Sequence, residues 1–209
     1  MIFKRSKEIL IMSYLIMSGC TQNLQHEIKL IDYKMSFDKL KMKYRYCRGK
    51  GHLQSKGEFQ GKLSFIFTVN GDSSYILFRD WIGRQTLYLQ MEENDIYAWD
   101  ILNDKIYNAS QVHNLYPFLK ILEGTDLTKF FWGFDPQLDS RDYLTDVYSD
   151  LNNVKISFVT DPDRNPFEIT KAIFQFDKNN QIEIVINERQ YGMYYPGLKK
   201  NIPQNILFN

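Results

Sequence analysis

The sequence predicts a mainly β protein, an antiparallel curved sheet with short helices as a lid over its concave face. Three observations lead there. The stretch "EFQGKLSFIFTVNGD" sets Phe59, Gly61, Leu63, Phe65, Phe67 and Val69 against Glu58, Gln60, Lys62, Ser64 and Thr68, a period-two pattern with one strongly apolar face. Short turns separate further strand-like runs, the signature of a meander. After a first helix at the start of the body, helical spacing is confined to two short segments in the middle of the chain, and such helices must bury their apolar stripe on the sheet.

Taken in order, a first helix is expected near Phe37 to Lys43, and the alternating strand follows. Asn70-Gly71 readily accepts positive φ and marks a hairpin turn. Strands Tyr75 to Arg79, Gln85 to Met91 and Asp95 to Trp99 come next, and Asn103-Asp104 turns the chain into Lys105 to Tyr107. Leu115, Phe118, Leu119 and Leu122 then fall at helical spacing, with Gly124 suited to the left-handed position that ends a helix. Asp126 can cap a second helix through Leu127, Phe130 and Phe131, stopped by Gly133 and Pro136. Strands return at Val154 to Thr160, Glu168 to Asp177 and Gln181 to Glu188. Aromatic residues make up 15% of the chain, 14 Tyr and 15 Phe among them; they suit strands and would equally suit an apolar cavity.

Ahead of this body, Lys4, Arg5 and Lys7 precede an apolar run from Ile9 to Met17. A basic start, a short apolar segment and small residues at its end make a secretory signal, too short to span a bilayer. Met17-Ser18-Gly19-Cys20 resembles the lipobox of bacterial lipoproteins, in which the cysteine is acylated and the preceding peptide removed. The expected organisation is a signal peptide over 1–19, a lipidated Cys20 with a polar tether over 20–36, and a single domain over 37–209. Two or more acyl chains hold a protein stably on a membrane. By resemblance to the sorting rule of enteric bacteria, Thr21 directs it to the outer membrane, facing the periplasm.

Losing residues 1–19 removes Lys4, Arg5, Lys7 and Glu8 and turns a formal charge of +1 into −1. A near-neutral domain has no electrostatic footprint for nucleic acid. Of the two cysteines, Cys47 lacks an intramolecular partner and reads as a half-buried strand thiol. His26, His52 and His113 show neither metal-pair spacing nor a neighbouring nucleophile. "DPDRNP" imitates a calcium loop, but Pro166 stands where Gly is needed and Ala172 where a bidentate Glu is needed. "GEFQGKL" lacks the glycine spacing and the Ser or Thr of a phosphate loop. No enzyme, metal or cofactor is expected.

Three stretches resemble the LolA/LolB family of lipoprotein-sorting proteins, in its anchored LolB type: "YRYCRGKGHL" with the alternating strand, "RDWIGRQTLYLQ" as a strand, loop and strand, and "EGTDLTKFFWGFDP" as a short helix closed by Gly and Pro. The resemblance covers roughly residues 44–136, with Trp81 where a Pro is usual. It implies a half-open β-barrel whose cavity takes up acyl chains of client lipoproteins, received from a soluble periplasmic LolA-type carrier and released into the outer membrane. It also implies a monomer and a membrane-insertion loop at Trp81, Ile82 and Gly83, with Ile82 the residue needed for release.

Read without the family, Trp81 and Ile82 either fold into the sheet's open end or stand exposed, where an indole prefers the membrane interface and Arg79 and Arg84 could meet phosphates. For the cavity the candidates are Phe65, Phe67, Val69, Leu87, Leu89 and Met91 on the sheet, and Leu115, Phe118, Leu119, Leu122, Phe130 and Phe131 under the lid. A packed core has the same pattern. The competing function is an anchored docking platform for an envelope assembly, with a filled core and an exposed patch.

Overall fold

A computed structural model of the chain describes residues 36–57, 60–92, 95–115, 124–136, 154–161 and 165–200, all within the unit 33–209. The signal segment, Cys20, His26, and the lid residues Phe118, Leu119 and Leu122 lie outside the described residues. Nine strands form one antiparallel sheet: β1 (Tyr46–Lys56), β2 (Gly61–Asn70), β3 (Ser73–Arg79), β4 (Gln85–Glu92), β5 (Asp95–Asp100), β6 (Lys105–Tyr107), β7 (Lys155–Asp161), β8 (Asn165–Gln175) and β9 (Gln181–Tyr191). Their spatial order is β6-β5-β4-β3-β2-β1-β9-β8-β7, and the sheet does not close into a barrel. Among the described residues there are three short helices, α1 (Phe37–Tyr44), α2 (Ala109–Leu115) and α3 (Gly124–Trp132).

Register decides which residues share a face, because directly paired residues point the same way. Phe65 pairs with Phe78 and Phe78 with Leu87; Phe67 pairs with Ile76 and Ile76 with Leu89; Val69 pairs with Ser74 and Ser74 with Met91. The six sheet positions named as cavity candidates therefore lie on one face of the sheet. Gly49 and Gly51 on β1 lie opposite Phe67 and Phe65, and a Cβ at either would run into those rings and into a β9 carbonyl oxygen. Glycine here lets two aromatic rings lie flat over a neighbouring strand.

Helix α3 lies on this face and contacts β2, β3, β4 and β8. Strands β4 and β8 are five inter-strand steps apart, about 24 Å in a flat sheet, whereas a nine-residue helix is only about 13 Å long. The sheet must curl round the helix, which makes this face the concave one.

The opposite face is also apolar, which the sequence pattern did not reveal. Tyr75, Leu77, Tyr88 and Leu198 form a buried cluster there, joined by Ile66, Trp99, Ile101 and Tyr195. Ile66, the residue that broke the polar side of β2, belongs to it. Chain beyond β9 crosses this face: the Tyr195 amide donates to Thr68 Oγ1 at 3.4 Å and the Lys200 amide to the Tyr88 hydroxyl at 3.1 Å.

Boundaries shifted where pairing, rather than composition, set them. The first hairpin loop is Gly71-Asp72, one place later than Asn70-Gly71, because Asn70 still pairs with Ser73. Gly124 opens α3 and does not take the left-handed conformation expected of it, and Asp126 lies inside the first turn of α3. Gly133, at φ +92, does follow the helix as its stop.

Candidate functional site

Between β3 and β4 the chain turns through Asp80, Trp81, Ile82, Gly83 and Arg84. Asp80 builds the turn. Its Oδ1 accepts the Ile82 amide at 3.1 Å and the Arg84 amide at 2.9 Å, and its Oδ2 accepts Arg84 Nε at 2.7 Å. The Gly83 amide donates to the Asp80 carbonyl at 3.0 Å, and the Asp80 amide to the Arg84 carbonyl at 3.0 Å. Gly83 sits at φ +85, a conformation costly for any residue with a Cβ. Burial pulls the Asp80 pKa up, but the hydrogen bonds and charge of Arg84, with the Ile82 amide, outweigh it and hold the carboxyl below the usual range. With the backbone occupied internally, Trp81 and Ile82 point outward, 90% and 52% exposed. Of the two placements the residues left open, the exposed one is found.

Phe65, Phe67, Val69 and Met91 are buried, and Leu87 and Leu89 are half-buried. Phe130 and Phe131 are buried on α3. Phe131 packs on Phe67 at 4.8 Å and edge-on to Phe65 at 6.2 Å, and Phe65 meets Phe78 at 5.5 Å. Phe130 reaches Phe158 on β7 at 6.1 Å. Leu115 ends α2, where only its backbone is described.

Arg189 of β9 fastens the lid, which the sequence did not signal. Its Nε donates to the Phe131 carbonyl at 2.7 Å, and its Nη2 donates to the Phe130 carbonyl at 3.1 Å and the Ile169 carbonyl at 3.0 Å. Its Nη1 is ion-paired with Glu168. A cation at the last carbonyls of a helix also meets the negative end of its dipole. Midway along α3, Thr128 Oγ1 lies 2.8 Å from Ser74 Oγ. Tyr191 donates its hydroxyl to the Trp132 carbonyl at 2.9 Å.

Cys47 lies fully buried beneath the helix, its Sγ 3.7 Å from the Phe131 carbonyl. Burial pushes its thiol up to about 12, against a smaller lowering by Arg189, so it is protonated and inert at neutral pH. The expectation of a half-buried thiol understated its burial. His52 Nδ1 contacts Asn187 Oδ1 at 2.9 Å on the sheet surface, and His113 lies on α2. Among the described residues no group of three or more His, Cys, Asp or Glu is placed to hold a metal ion. No described helix is long and apolar enough to cross a membrane.

Compared with known proteins, the chain matches no family model and no curated protein.

Proposed function

We propose that this protein is a lipid-anchored carrier of LolB type. It takes up acyl chains of client lipoproteins on the concave face beneath α3 and delivers them to the outer membrane through the Trp81-Ile82 turn. No bond is made or broken. The lipobox-like Met17-Ser18-Gly19-Cys20 would hold it on that membrane, facing the periplasm, where a soluble LolA-type carrier would bring the cargo.

One observation carries the reading. A turn fixed by Asp80 presents an indole and an isoleucine to solvent, although burying either would be favourable. Burial of an isoleucine contributes about 1.5–3 kcal/mol, enough to bias contact with a bilayer and too little to hold a protein there. Apolar tips beside Arg84 suit a surface with a greasy interior and phosphate headgroups.

A docking platform is the second reading, and the ring contacts among Phe65, Phe67, Phe78 and Phe131 favour it, because a platform needs no cavity. Native mass spectrometry of detergent-free protein, before and after addition of a triacylated lipopeptide, separates the two. The carrier reading predicts a stoichiometric acylated adduct. A protein that never binds the lipopeptide, yet retains a protein partner, would be a platform.

A further inference from the structure

We infer that the membrane-facing end carries a second apolar prong, Leu102 on the β5–β6 turn, which enters a phosphate-bearing bilayer together with Ile82; the inference rests on the proposed role of the Trp81-Ile82 turn. Leu102 is 57% exposed. Strand β4 runs antiparallel to both β3 and β5, so the β3–β4 and β5–β6 turns project from the same end of the sheet.

The two turns are built alike. Asp100 accepts the Asn103 amide at 3.1 Å and Asn103 Nδ2 at 2.7 Å, as Asp80 accepts the amides of its own turn. Ile101 faces inward to the cluster around Tyr88, and Leu102 is left facing out. A third turn at this end, between β8 and β9, has the same device: Asp177 accepts the Asn179 and Asn180 amides at 2.7 and 2.8 Å. Its residues, Lys178, Asn179 and Asn180, are all polar. Among the described residues, the exposed apolar tips at this end are Trp81, Ile82 and Leu102, on the β3–β4 and β5–β6 turns.

Register fixes their relative height. The first hairpin closes at Arg79–Gln85, and the second at Asp100–Lys105, with Asp100 opposite Leu87. Leu102 is therefore set back by two residues, about 7 Å, and lies two strand spacings away, about 10 Å. A tilt of roughly 35° levels the tips, and an interfacial element buries its apolar side by about 5–10 Å.

Charge selects the bilayer as occupant. Asp80 and Asp100 are turned into their own turns, and Asp104 accepts the Trp99 indole N–H at 3.1 Å. Among the described residues here, Lys105 at the start of β6 and Lys62 on β2 are exposed, and Arg84, although ion-paired with Asp80, keeps 63% of its side chain in solvent. Lys200 reaches Gln85 Oε1 at the same end, at 3.1 Å. Apolar tips ringed by cations suit phosphate headgroups over acyl chains.

The test is depth. Full-length chains carrying Ile82→Cys, Leu102→Cys or Met42→Cys are labelled with an environment-sensitive maleimide dye, with the parent chain giving the background. Cys20 is replaced by Ser in every chain, the parent included, and Cys47 is buried, so neither competes. Met42, 78% exposed, lies on α1, which leads into β1 at the opposite end of the sheet. Vesicles are an equal mixture of phosphatidylethanolamine and phosphatidylglycerol with nitroxide-labelled acyl chains. Dyes at 82 and 102 should both be quenched and the dye at 42 should not. Quenching at 82 alone overturns the second prong and leaves the delivery turn standing. Quenching at neither position overturns both, and equal quenching at all three shows that no particular end faces the bilayer.

Discussion

Asp80 shows how one side chain can create an exposed apolar tip. By satisfying the amides of Ile82 and Arg84, it frees the turn from any need to fold inward. Its folded pKa lies below the ordinary carboxylate value, so the stability it contributes is fully present above that ordinary value. That contribution is lost as pH falls through the depressed folded value. The protection of the Ile82 and Arg84 amides, measured against the intrinsic exchange rate at each pH, should therefore fall in acid, and Asp80→Ala should lower it already at neutral pH with little change in melting temperature. Slow exchange in the variant would show that the turn does not depend on this carboxylate. At the same scale, Cys47 should resist maleimide in the native protein and react once the chain is unfolded. Rapid native labelling at 47 would mean that α3 opens readily.

Among the elements, helix α3 and its clasp were legible only in part. Leu127, Phe130 and Phe131 announced an apolar stripe, and Gly133 its end, because helical spacing and stop signals are local. The cation that secures it, Arg189, is 58 residues beyond Phe131 and meets it only through strand pairing, which no local pattern encodes. Leu102 goes unmarked in the sequence for a related reason: it stands next to Ile101, past the strand expected to end at Trp99, and only the fold tells the inward residue from the outward one. The second apolar face escaped notice because in β3 both faces are buried, and "SSYILFR" then shows a run instead of an alternation. Arg189→Met should cost about 3–5 kcal/mol, since it removes a buried cation that pairs with half-buried Glu168 and makes three carbonyl contacts. Gly49→Ala should cost at least about 1–3 kcal/mol by driving a methyl into the Phe67 ring and the Glu188 carbonyl. Chemical denaturation measures both, and a neutral Gly49→Ala would contradict the close ring-over-glycine packing.

For the whole molecule, the geometry sets a requirement on the tether. Helix α1 enters β1 at the end where Tyr46 pairs with Asn70, opposite the Trp81 turn. Strand β1 has 11 residues, about 36 Å of height. A protein anchored through Cys20 must pass that height for its apolar turns to meet the membrane that holds it. The chain from Cys20 to Ser36 can span at most about 55 Å, which suffices. Deleting residues 23–32 cuts the reach to about 20 Å. The shortened protein should still deliver cargo to separate vesicles but fail to deliver to the membrane in which it is anchored. Equal delivery to both would show that the turns need not reach the anchoring membrane.

The central claim, that this fold passes acyl chains to a bilayer through an exposed turn, rests most heavily on Ile82. Half of its surface is already in water, so Ile82→Glu should hardly disturb folding, while a charge entering an apolar medium is costly. The decisive measurement is the rate at which a triacylated lipopeptide moves from purified protein to liposomes, taken beside a melting curve and an uptake titration. The account predicts unchanged melting and uptake with release slowed by about 4- to 12-fold, the loss expected from forfeiting roughly half of an isoleucine's burial. Release at the wild-type rate, or a melting temperature lowered by many degrees, would contradict it.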